Sequence, residues 1–105
     1  VQKQQLSKLK AQKRDKNLKD ISLLMYFVYM LKSKSIKPIT YVGYTNNLKK
    51  RIKLHNSGRG AKFTRGRKWL LIYKESFKSK KEAISREYYI KNNRLLRKNL
   101  KNKYL

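Results

Sequence analysis

A chain of 105 residues has room for one small domain, and 30 lysines and arginines against five acids give it a net charge of +25 at pH 7. Such a charge repels itself in a compact fold unless a polyanion offsets it, which points to nucleic acid as the partner. The absence of cysteine excludes disulfides and thiolate metal sites, and the longest apolar run, Leu23 to Leu31, is too short to span a bilayer, so no membrane partner is expected.

Coding bias toward A+T would raise Lys, Asn, Ile and Tyr, but it would not remove Asp and Glu, so it accounts for only part of the charge. Residues 1–21 form a basic arm in which Lys13 and Arg14 are candidate nucleic-acid contacts and Leu6, Leu9 and Leu18 are the main apolar side chains. A lone helix of this length is marginal in water and three leucines make a poor docking face, so the arm is expected to lie on a partner polyanion. The first residue is Val1 rather than Met, which fits removal of a targeting peptide or an incomplete sequence. A mitochondrial or other organellar location is therefore the expectation, with the cytoplasm as the default.

Residues 22–93 read as the domain. Leu23 to Leu31 and Ile39 to Thr45 are rich in strand formers and are joined by a Lys/Ser loop with Pro38, which predicts two antiparallel strands. Asn46 is a candidate N-cap for a helix that carries Leu48, Ile52 and His55 on one stripe, with Arg51 flanking it, and that stops at Gly58 and Gly60. The glycine-spaced loop that follows holds Lys62, Arg65 and Arg67 around Phe63 and predicts a phosphate cradle, or else a solvated connection. Trp69 to Phe77 supplies a third strand.

Ser79-Lys80-Lys81-Glu82 is a capping box, which gives Glu82 a structural duty at the start of the next helix. In that helix Ala83, Glu87 and Ile90 share one face, so a carboxylate sits on an apolar stripe, where burying it unpaired is costly. Asn92-Asn93 breaks the helix. Residues 94–105 read as a basic C-terminal helical extension touching the domain through Leu95, Leu96, Leu100 and Leu105.

Hydrolysis of a phosphodiester needs a cation on the phosphoryl oxygens, a base for the attacking water and stabilisation of the leaving oxygen. Glu87 offers an oxygen ligand for one hard divalent ion, Mg²⁺ or Mn²⁺, arriving with substrate, unless it is only an ion-pair partner of a nearby cation. Arg51 is, taken alone, one surface cation among many, raised above them by its place ten residues after Tyr41 on the stripe side of the helix, and His55 is either a proton relay or phosphate ligand or else a satisfied core histidine. Tyr29 and Tyr41 are each, alone, ordinary core aromatics with a hydroxyl at the rim.

Together, Tyr26-Phe27-Val28-Tyr29, Tyr41-Val42-Gly43, Leu48-x-x-Arg51-x-x-x-His55 and Arg86-Glu87 resemble the GIY-YIG nuclease superfamily, particularly its small single-domain members. The likeness runs from about Met25 to Asn92 and takes in the loop from Asn56 to Arg67; Phe27 stands where the name-giving glycine of the first motif would be. The resemblance implies an α+β fold, a three-stranded mainly antiparallel sheet flanked by helices, and a metal-dependent DNA endonuclease. It implies that Tyr41 assists deprotonation of the attacking water, that Tyr29 braces the site and that Arg51 grips the scissile phosphate bidentately; the cationic surroundings are expected to lower the phenol pKa. The catalytic set is then Tyr29, Tyr41, Arg51, His55 and Glu87. A second reading stays open: a repurposed, non-catalytic domain bound to rRNA and ribosomal proteins in a large ribonucleoprotein such as a mitochondrial ribosome, since basic extensions of this density are common there.

Overall fold

In the computed structural model, residues 25–103 are described; the basic arm with Lys13 and Arg14, and Leu105, lie outside the described residues. Strand β1 (Tyr26–Ser33) is the centre of a three-stranded antiparallel sheet of order β2-β1-β3, with β2 (Thr40–Thr45) and β3 (Trp69–Phe77) on its flanks. Six consecutive residues of β1, Val28 to Ser33, are buried because both faces of the sheet are covered. A half-solvated strand would alternate instead.

Val28 and Met30 point into one core with Val42, Ile72, Ala83 and Ile90. Tyr29 and Leu31 point into the other with Trp69, against which Ile39, Tyr41, Leu48 and Ile52 pack. Phe27 pairs with Thr45 and Ser76 in unbroken register, so the residue at the glycine position of the first motif leaves the strand regular. A bulge on β3 follows, where Met30 pairs with Tyr73 and Leu31 with Leu71, so that Ile72 is the extra residue. Its effect is to put Trp69 on the Tyr29 face while Ile72, Tyr73 and Phe77 all serve the other core.

Helix α1 (Leu48–Asn56) is capped by Asn47, one residue later than the sequence suggested: the Asn47 side chain accepts from the Lys50 amide, and Thr45 Oγ1 accepts from the Asn47 amide. Helix α2 (Lys80–Lys91) opens on the expected capping box, with Ser79 Oγ accepting from the Glu82 amide and donating to the Glu82 carboxylate. Ala83 and Ile90 are its buried residues. Helix α3 (Arg94–Lys103) begins at Asn93, whose side chain accepts from the Leu96 amide. Leu96 and Leu100 pack on the core, while Leu95 is 68% exposed and faces away from the domain it was expected to touch. Arg97 donates to the Ile90 and Lys91 carbonyls and so ties α3 to the C-terminus of α2.

Candidate active site

The site is built over β2. Tyr29 faces Gly43 across the β1–β2 pair, and a Cβ at Gly43 would stand 2.6 Å from the Tyr29 hydroxyl and 2.8 Å from its Cζ. Only glycine leaves the Tyr29 phenol room to lie against the β2 backbone. Tyr41, two residues earlier on the same side of β2, has its ring 6.3 Å from that of Tyr29.

Tyr29 Oη lies 2.7 Å from His55 Nε2, and His55 Nδ1 lies 2.8 Å from Thr64 Oγ1. Thr64 spends its one hydroxyl proton on the Ala61 carbonyl, 2.8 Å away, so it can only accept from His55. The histidine therefore carries its proton on Nδ1, and Nε2 accepts from Tyr29 O–H. Burial, helped by the charge of Arg51, lowers the His55 pKa to about 4, in keeping with this neutral tautomer. His55 is thus both of the things the sequence allowed: a buried, fully bonded core histidine, and one in direct contact with a site phenol.

Gly60 makes that contact possible in its turn, since a Cβ there would sit 2.3 Å from His55 Nδ1. Thr64, which the sequence did not single out, anchors the loop twice more. Its carbonyl accepts from Trp69 Nε1 at 2.9 Å, and its 3₁₀ turn, Lys62–Thr64, is closed by the bond to Ala61. Asn56 completes the frame: its Oδ1 accepts from the Trp69 amide at 2.6 Å and its Nδ2 donates to the Trp69 carbonyl, standing in for a missing strand.

Arg51 projects from α1 toward the phenols of Tyr29 and Tyr41, and interaction with them, Tyr29 foremost, holds its guanidinium above its usual pKa. The Tyr29 hydroxyl donates its hydrogen bond to His55 and keeps its proton, so its lone pairs are what it presents toward the guanidinium. Burial raises the Tyr29 pKa to about 12, against the lowering influence of Arg51. The expectation that surrounding cations lower the phenol pKa is corrected for Tyr29, where desolvation outweighs charge. A cleft of about 420 Å³ lined by Tyr26, Tyr44, Thr45, Asn46, Arg51 and Lys80 gives an anion access to the guanidinium.

Glu87 lies near enough for its charge to act on Tyr29, and its half-buried carboxylate is 3.4 Å from Lys91. The other two carboxylates of the domain are committed elsewhere. Glu82 caps α2, and Glu75 accepts from Tyr73 Oη at 2.6 Å and Arg86 Nε at 2.9 Å, which hold it below its usual pKa. Arg86, beside Glu87 in sequence, belongs to that pair and stacks on Tyr89 rather than joining the site. Lys62, Arg65 and Arg67 are exposed on the loop around Phe63, whose ring stacks on Tyr41.

A family model described as GIY-YIG catalytic domain matches residues 25–103. Among curated proteins the chain is similar to the UPF0213 protein CPE1444 of Clostridium perfringens, with 59% identity over 68 residues, 64% of this chain and 71% of that one. It is also similar to the UPF0213 protein YazA of Bacillus subtilis, with 49% identity over 67 residues, 63% of this chain and 66% of that one. A solution NMR structure of the UPF0213 protein BH0048 from Bacillus halodurans matches at 40% identity with a TM-score of 0.45, covering 74% of this chain and 83% of that one. These relatives are bacterial, and none of their names points to RNA, a ribosome or a mitochondrion.

Proposed function

Because the chain belongs to the GIY-YIG family and aligns with its UPF0213 proteins, we propose that it is an endonuclease that hydrolyses phosphodiester bonds of DNA with the help of one divalent ion. The observation that carries this reading is the convergence of Tyr29, Tyr41 and His55, whose rings lie 5.0–6.3 Å apart, with Arg51 acting on both phenols and the charge of Glu87 felt at Tyr29. A surface cation in a protein of charge +25 has no reason to be so placed.

The donor chemistry fits a hard ion held lightly. Among the described residues no three metal-ligating side chains cluster, and Glu87 is the one carboxylate at the site, an oxygen donor suited to Mg²⁺ or Mn²⁺ with waters and phosphate filling the other positions. When bound, such an ion polarises the phosphoryl oxygens. Arg51 offers its N–H groups to the scissile phosphate and offsets charge that develops on it. Tyr29 is a neutral phenol whose proton is directed at His55, so it serves as a brace that holds Arg51 in place. Activation of the attacking water then falls to Tyr41, the phenol at Arg51 that has no bond to His55. His55 and Thr64 keep Tyr29 oriented from behind.

Supercoiled and branched DNA incubated with the protein and Mg²⁺ should be cut. Glu87→Ala and Tyr41→Phe should abolish cutting while leaving thermal unfolding within a few degrees of the parent. A folded parent protein that cuts no DNA substrate refutes the reading.

A further inference from the structure

Phe63 is one of several large apolar side chains left exposed, and the one that stacks on a tyrosine of the candidate active site. It is 56% exposed, on a turn fixed by three bonds of Thr64, and it stands beside the candidate active site rather than away from it. One face of the ring stacks on Tyr41, with centroids 6.1 Å apart and planes 23° from parallel, and Trp69 lies 6.4 Å away at a tilt. From Ser57 to Lys74 the chain has no acidic residue, and Lys62, Arg65 and Arg67 are exposed within four residues of Phe63 in the chain. A rigidly mounted aromatic with solvent on it and cations around it offers a base the π-face and its backbone the charge. An acid-poor surface around an aromatic plate is also a poor match for another basic chain, so a second copy is disfavoured as the occupant.

We propose that Phe63 is a nucleobase-stacking subsite: the base of an unstacked nucleotide lies on its exposed face, while the loop cations hold the adjoining phosphates. Tyr41 backs the ring, so a nucleotide stacked there places its neighbouring phosphodiester beside the phenols and Arg51. Continuous duplex, whose bases are stacked on one another, cannot supply such a base without local opening. This deepens the nuclease reading and rests on it for the direction in which the strand runs, but the stacking itself can be measured without cleavage.

The test compares, in EDTA and at fixed salt, binding of the full chain to a single-stranded deoxyoligonucleotide and to a strand of equal length made of abasic sites. The parent should bind the base-bearing strand about tenfold tighter or more, the range expected of one base stacked on an aromatic ring. Phe63→Ala should lose most of that preference while binding the abasic strand as the parent does, and Phe63→Trp should keep it. Phe63→Leu retains apolar bulk against Tyr41 without a flat ring, so it should lose the preference while its thermal unfolding stays that of the parent. Equal binding of the two strands by the parent overturns the proposal, and so does an undiminished preference in Phe63→Leu. Base-dependent binding by a protein that cuts no DNA in Mg²⁺ would leave the subsite standing and remove the nuclease reading; cutting without base preference would do the reverse.

Discussion

His55 shows how one buried ring couples the stability of the fold to the geometry of the site. Its pKa falls from 6.5 to about 4 because the imidazolium would be desolvated and would face Arg51. The unfolded chain therefore takes up a proton that the folded chain refuses between those two values, and stability rises with pH across that window. The contribution is fully present above about pH 6.5 and is lost as pH falls toward 4, up to about 3 kcal/mol for a shift of this size. Urea unfolding at pH 7 and pH 4.5 should show that loss in the parent. His55→Gln, which can still accept from Tyr29 but does not titrate, should show little of it over the same interval; an equal pH slope in the variant would exclude His55 as its source. The sequence offered His55, Tyr29, Tyr41, Arg51 and Glu87 by type and spacing; the structure puts the first three in contact, with Arg51 acting on both phenols and Glu87 paired with Lys91 while its charge is felt at Tyr29. What spacing could not convey was burial: from composition alone the phenols sit in a field of cations, yet Tyr29 goes up to about 12 because the chain encloses it. Thr64 was silent in the sequence for a related reason, since its role depends on a hydrogen bond direction fixed by Ala61. Gly60, read as a helix stop, owes its place to the imbalance of space beside His55.

At the level of elements, patterning was informative where one physical cause acted alone. The third strand, Trp69 to Phe77, and the capping box at Ser79 stand where composition and spacing put them, because turn residues bound the first and local hydrogen bonding decides the second. The bulge at Ile72 left no mark, since an apolar run through Leu70, Leu71 and Ile72 is compatible with either face. The junction of α1 with β3 was equally invisible: the sequence showed Asn56 only as the first residue of a loop, but in the fold it ends α1 and its amide pairs with both backbone groups of Trp69. Replacing it leaves an amide and a carbonyl without partners at the start of β3. Asn56→Ala should therefore destabilise the domain by about 1–3 kcal/mol, a fall of several degrees in Tm, and should loosen the Trp69 bond to Thr64 that steadies the loop. Trp69 is the one tryptophan of the chain and is 2% exposed, so a red shift of its emission in the folded variant reports that loosening directly. Unchanged stability and emission would mean that water replaces the Asn56 amide at no cost.

Across the whole molecule the charge is divided unevenly between chemistry and affinity. Among the described cations Arg51 acts on both phenols of the site, while Lys62, Arg65 and Arg67 lie exposed on the loop that carries Phe63, and residues 1–21 carry seven more against two acids. Phosphate contacts made by these groups release counterions, so log K should fall linearly with log salt, by about 0.7 per contact on a single strand and 0.9 on duplex. Neutralising a contact lowers that slope without choosing among sequences. Lys62→Gln with Arg65→Gln, and separately Lys13→Gln with Arg14→Gln, should each reduce the slope by about 1–2 if both side chains of the pair touch phosphate. The two pairs should nonetheless differ in cleavage: the loop pair borders Phe63 and Tyr41, so its loss should slow cutting even at saturating DNA, whereas the arm pair should act on affinity alone. An arm pair that leaves the slope unchanged would show that its cations serve solubility, and the polyanion inferred from composition would then be held by the folded domain without it.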